Sequence, residues 1–147
     1  MYQHILIATD GSELARKAET TGLTLAKALQ AKATAVTVTE PWDALSMAAL
    51  AERSVPNPVA DYEEGVAATA NRVLWGVTET AKRMGVACTT VHVTTYPADA
   101  IIETAKSSGC DLIVMASHGR RGMARALLGS QAARVVSLSS IPVLICR

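Results

Sequence analysis

Leu112-Ile113-Val114-Met115-Ala116 runs straight into Ser117-His118-Gly119-Arg120-Arg121-Gly122, and Gly129-Ser130 follows after Met123 to Leu128. The first segment has no polar face. An unbroken apolar run of this length, bounded by turn residues, reads as a strand covered on both sides, which is the habit of parallel sheets. The glycines behind it let backbone N–H groups approach a ligand closely and converge on one point. Ser130 then opens a helix, whose first N–H groups have no partner within the helix and carry the positive end of its dipole. Its hydroxyl either caps that helix or bonds a phosphate oxygen. Arg120, Arg121 and Arg125 add positive charge to the same loop.

Outward from this segment the chain alternates between strand and helix patterns. Ile5-Leu6-Ile7-Ala8 is a short apolar run closed by the turn residues Asp10-Gly11-Ser12. Ser12 is placed to cap a helix whose apolar stripe is Ala15, Ala18, Gly22, Leu25, Ala26 and Leu29. A second strand is expected over 35–39, stopped by Glu40-Pro41. From Trp42 to Val59 the prolines Pro56 and Pro58 break any clean period, with a short helix over 44–53. That stretch is expected to fold near the ligand as a mobile flap. A long helix over 59–84, with Val66, Ala70, Val73, Val77, Ala81 and Met84 on one face, ends at Gly85. A strand over 86–95, a helix over 97–108 started by Pro97 and followed by Gly109, a helix over 130–138 and a strand over 141–146 complete the pattern. The expected architecture is α/β: a single domain over 1–147, with an open, mostly parallel five-stranded sheet and helices on both faces. In such sheets ligands bind beyond the carboxyl ends of the strands, where strand order reverses. Thr9-Asp10-Gly11, Val38-Thr39 and Ala116 to Gly119 are the segments that arrive there.

Composition narrows the function. Half of the 147 residues are hydrophobic, but only 3% are aromatic and there is no Phe, so the core is built from Ala, Val, Leu, Ile and Met. A net charge of +1 argues against nucleic-acid binding driven by phosphate neutralisation. Cys88, Cys110 and Cys146 are odd in number and form no CxxC pair, which gives neither a disulfide framework nor a zinc site and, with the low aromatic content, speaks against a redox or flavin carrier. They read as small buried or half-buried strand residues. Free thiols, the lack of a membrane-length apolar run and the absence of a basic, apolar leader at Met1-Tyr2-Gln3-His4 lead us to expect a cytoplasmic protein with no membrane partner. His4 and His92 have no evident partner, His118 reads as an exposed loop imidazole, and Trp42 and Trp75 read as packing residues.

These segments together resemble the universal stress protein family along essentially the whole chain. Ile5-Leu6-Ile7-Ala8-Thr9-Asp10-Gly11-Ser12 is similar to that family's first strand and turn, and Ile141-Pro142-Val143-Leu144 to its last strand. Met115 through Ser130 resembles the phosphate motif of the ATP-binding branch: Gly, two residues, Gly, nine residues, then Gly and Ser or Thr. Gly119, Gly129 and Ser130 fit it, whereas Ala116 stands where the first glycine would be. The added methyl is compatible with a strand and is expected to weaken binding rather than abolish it.

The resemblance implies a nucleotide site. Asp10 would contact the adenosine, with Ala8 and Thr9 lining the adenine slot and the Val38 backbone meeting the base edge. Met115, Ala116, Gly119, Arg120 and Gly122 would flank ribose and phosphates, and Gly129, Ser130 and Gln131 would hold the phosphates. The implied ligand is ATP, with ADP or AMP as alternatives, and Asp10 is placed to help hold Mg²⁺ against the phosphates. The resemblance also implies a homodimer paired through Val143, Leu144 and Ile145. The loop lacks the lysine of P-loop hydrolases, so binding with slow or no hydrolysis is expected. The alternative is a dimeric interaction module that needs no nucleotide.

Overall fold

In the computed structural model, which describes residues 1–119 and 127–147, the elements follow the order read from the sequence. They are β1 (His4–Ala8), α1 (Glu13–Leu29), β2 (Lys32–Thr39), α2 (Ala44–Glu52), α3 (Pro58–Met84), β3 (Cys88–Thr94), α4 (Pro97–Ser107), β4 (Leu112–Ala116), α5 (Ser130–Leu138) and β5 (Val143–Cys146). The sheet runs β3-β2-β1-β4-β5, and every pairing is parallel.

Side chains of a strand alternate between faces, and β1 divides its own between two cores. Ile5 and Ile7 pack with Leu23 and Ala26 of α1 and with Leu74, Val77 and Ala81 of α3. Leu6 and Ala8 pack on the other side with Ile101 and Ile102 of α4 and with Ala132 and Val135 of α5. All five residues of β1 are buried, as are all five of β4. The Asp111 carboxylate, at the turn before β4, accepts the Gln3 and His4 N–H groups at 2.8 and 3.1 Å and so fixes the start of β1. No helix among the described residues is long and apolar enough to cross a membrane.

The stripe expected on α1 faces the core, with one addition: Leu23, beside Gly22, is fully buried, while Leu25 and Leu29 are only partly so. Ser12 caps α1 through a 3.2 Å bond from the Ala15 N–H. β2 begins at Lys32, ahead of the expected residue 35, because Lys32 and Ala33 pair with His4 and Ile5. β3 and β5 are shorter than expected, and Pro142 lies just outside β5.

Several expectations are corrected. Trp75 is not a packing residue, being 66% exposed, whereas Trp42 is 39% exposed and its indole N–H donates to the Glu63 carboxylate at 3.1 Å. His4 is buried with Nε2 2.8 Å from Thr34 Oγ1, and His92 Nε2 lies 2.8 Å from Thr39 Oγ1, so both have partners on β2. Cys88 and Cys146 are half-buried in strands, but Cys110 is buried in the turn that precedes β4.

Helix α1 comes close to the sheet at Gly22, where an added Cβ would lie 2.7 Å from Ile7 Cγ1. Alanine there gains about 1 kcal/mol of helix propensity but overpacks the core at a cost of about 1–3 kcal/mol. Gly76, inside α3, has no heavy atom within 4 Å of the corresponding position. The urea midpoint should therefore fall with Gly22→Ala and rise with Gly76→Ala. A rise with both would show that α1 can lift from β1 freely.

Candidate functional site

β1 is flanked by β2 on one side and β4 on the other, and the chain leaves β1 for α1 on one face of the sheet and β4 for α5 on the opposite face. The space left beyond its carboxyl end is a cleft of about 850 Å³. Ala8, Thr9 and Asp10 from β1, Val38 from β2, Met115, Ala116 and Gly119 from β4 and its loop, and Gly129, Ser130 and Gln131 at the start of α5 all line it. Arg120 and Gly122, with Arg121 and Arg125, lie outside the described residues.

The sequence reading missed a wall. α3 spans 27 residues, about 40 Å at helical rise, and is much longer than the strands it covers. Leu74, Val77 and Ala81 pack in the core, while Tyr62, Val66, Thr69, Ala70 and Val73, nearer its N-terminus, border the cleft. Tyr62 donates from its hydroxyl to the Glu40 carbonyl at 2.8 Å, joining α3 to the end of β2. Residues 42–59, expected as a flap, contribute nothing to the lining among the described residues; Glu40 and Tyr62, on either side of that stretch, do.

The turn after β1 is held by a chain of local bonds. Thr9 Oγ1 accepts the Gly11 N–H at 3.1 Å, and Asp10 Oδ1 accepts the Ser12 N–H at 2.9 Å. Gly11 sits at φ 75°, which an L side chain rarely adopts. The Thr9 hydroxyl donates to the Glu19 carboxylate on α1.

The glycine loop is closed at its base. The Gly129 N–H donates to the Ser117 carbonyl at 2.8 Å, and the Ser117 N–H to the Cys146 carbonyl at 2.8 Å. Gly129 has an ordinary φ of −60°; glycine is needed for proximity, since a Cβ would lie 3.0 Å from the Ser117 carbonyl oxygen. A Cβ on Gly119 would lie 3.1 Å from Asp10 Oδ2. His118 borders the cleft, with Nδ1 3.0 Å from the Ser117 hydroxyl. It is thus partnered and part-buried rather than a plain exposed loop residue.

Ser130 does not cap α5. The cap position is Gly129, which has no side chain to offer, and Ser130 is the first helical residue. The N-terminus of α5 therefore faces the cleft without a side-chain cap. Gln131 Oε1 instead accepts the Ala98 N–H of α4 at 3.1 Å, and Arg134 meets Asp99 at 3.2 Å, tying the two helices together.

Asp10 and Glu40 are the only carboxylates or cationic side chains among the described residues of the lining. Among the described residues the lining therefore offers an anion backbone N–H groups and the positive end of α5 rather than a cationic side chain. No group of three or more potential metal-ligating side chains occurs among the described residues, so a cation there would take most of its oxygens from the ligand. Gly129→Ala drives its methyl onto backbone that cannot swing away. It should destabilise the protein by about 1–3 kcal/mol, read as a lower urea midpoint with an unchanged slope.

Comparison with known proteins agrees with this architecture. The model of the universal stress protein family matches residues 1–147. The chain is 32% identical to universal stress protein YxiE of Bacillus subtilis (strain 168), covering 100% of both chains. It is also 32% identical to universal stress protein MJ0531 of Methanocaldococcus jannaschii, covering 100% of this chain and 83% of that one. A crystal structure of a universal stress protein in complex with cAMP superimposes with a TM-score of 0.73 at 29% identity, covering 99% of this chain and 97% of that one. The chain belongs to the universal stress protein family.

Proposed function

We propose that this chain is a cytoplasmic receptor for adenine nucleotides, ATP foremost, which acts as a nucleotide-dependent sensor or regulator in the stress response, with slow or no hydrolysis. The observation that carries the reading is the uncapped N-terminus of α5, brought against the cleft by the close approach of Gly129 to Ser117. The base lies at the apolar end formed by Ala8, Val36 and Val38, and the phosphates lie at Gly129, Ser130 and Gln131. With no side-chain bond of its own among the described residues, the Ser130 hydroxyl is available to a phosphate oxygen. Asp10 supplies a carboxylate oxygen for a Mg²⁺ that arrives with the phosphates. The similar protein solved with cAMP supports an adenine ligand. Hydrolysis is slow in this reading because the sequence of the loop contains no lysine to draw charge from a leaving phosphate.

Mg-ATP at about a hundred times its dissociation constant stabilises a folded protein by roughly 2.7 kcal/mol. For a chain of this size that is a rise in Tm of about 5–10 °C. We expect such a rise with Mg-ATP, little with Mg-GTP, and a smaller rise for Ser130→Ala with Mg-ATP. No shift at millimolar Mg-ATP would overturn the nucleotide reading.

A second reading, a dimeric interaction module, is favoured by β5. It is an edge strand, and Leu144 on it and Val136 and Leu138 on α5 are exposed apolar residues. An apolar edge of this kind invites strand pairing, which would join two copies through Val143, Leu144 and Ile145. Light scattering should then report a dimer at micromolar concentration that Leu144→Lys converts to monomer. A wild-type monomer would remove this reading.

A further inference from the structure

Glu19 stands two turns into α1, yet its carboxylate serves β1 rather than the surface. The main chain of Thr9 is fully committed: its N–H donates to the Val36 carbonyl at 3.0 Å, and its carbonyl accepts the Thr37 hydroxyl at 2.9 Å. Only its side chain is left to choose a direction, and Glu19 fixes that choice by accepting the hydroxyl proton. With its proton so directed, Thr9 Oγ1 turns a lone pair to the Gly11 N–H, and the same turn lets Asp10 Oδ1 take the Ser12 N–H. Asp10 thereby enters the cleft opposite Gly119.

We propose that Glu19 is a positioning residue for the cleft: its carboxylate sets the Thr9 hydroxyl, and through it the turn from which Asp10 meets the ligand. The proposal rests on the nucleotide reading of the same cleft.

Glu19 is a costly choice for packing alone. Burial pushes its carboxyl above the usual range, and Asp10 pushes the same way; the Thr9 bond and Arg16, on the same helix, only partly offset this. The β4 and α3 residues in the core beneath α1, Leu112, Val114, Leu74 and Val77, are apolar and bring no charge to it. A raised value in the folded state means that the group favours folding when protonated, and that this contribution is lost as pH rises through the raised value. In its ionised form Glu19 therefore detracts from stability. A carboxylate kept under those conditions is a mark of a functional site.

Stability and affinity should accordingly separate. Glu19→Gln keeps an acceptor for Thr9 and removes the charge; its Tm at neutral pH should equal or exceed that of wild type, while Mg-ATP binds about two- to tenfold more weakly, the difference between a charged and a neutral acceptor for the Thr9 hydroxyl. Glu19→Ala should bind more weakly still. As pH falls through the Glu19 titration, the wild-type advantage over Glu19→Gln should vanish; their ratio at each pH cancels the protonation of ATP itself. Affinity equal in all three proteins, or falling only where stability falls, overturns the proposal. If wild type binds no Mg-ATP, the nucleotide reading fails separately. The Gly11 amide nitrogen then decides the coupling: a chemical shift that titrates in wild type and not in Glu19→Gln upholds it, and one that never titrates overturns it.

Discussion

Both edges of β1 are paired in parallel, and the geometry of the molecule follows from that constraint. Parallel neighbours cannot be joined by a hairpin, so each connection crosses a face of the sheet. The chain leaves β1 for α1 on one face and β4 for α5 on the other, and these two connections part above the carboxyl ends of the neighbouring strands. Ile5 and Ile7 look into one core and Leu6 and Ala8 into the other, which leaves this strand no freedom of register. The cleft is the space that such a strand necessarily leaves unfilled.

Much of this was written in the sequence because it rests on short-range chemistry. The apolar runs Ile5 to Ala8 and Leu112 to Ala116, the Ser12 cap and Gly85 at the end of α3 depend on neighbours in the chain. The ten expected site residues that lie within the described chain share one cleft because strand ends converge there in any sheet of this topology. What escaped reading depends on how long elements overhang one another. Val66, Ala70 and Val73 carry the same stripe as Val77 and Ala81, and nothing in the period says which part of a helix meets the core and which part walls a cavity. The threonine partners of His4 and His92 escaped for a related reason, since cross-strand neighbours are fixed by register and not by spacing. Ser130 was misplaced as a possible cap because the cap position slips by one residue to Gly129.

The electrostatics of the cleft divide along the same axis. Acidic side chains lie at the strand ends, as Asp10 and Glu40, and the positive pole of α5 lies across from them. Such an arrangement suits a ligand that is itself divided, with donors at one end and negative charge at the other. Gln131 strengthens it by taking the Ala98 N–H, so that α4 and α5 keep a fixed relation at the mouth.

The bond from the Gly129 N–H to the Ser117 carbonyl has a consequence for how the protein can change over generations. It pins the two ends of the intervening chain to each other and to β4, and Ser117 is itself pinned to β5. Lengthening a loop whose ends are already joined adds only a logarithmic entropic penalty. Length can therefore change between those two points at little cost to the sheet beneath, whose strand ends at Ala8, Val38 and Ala116 line the cleft as well as pack against the cores.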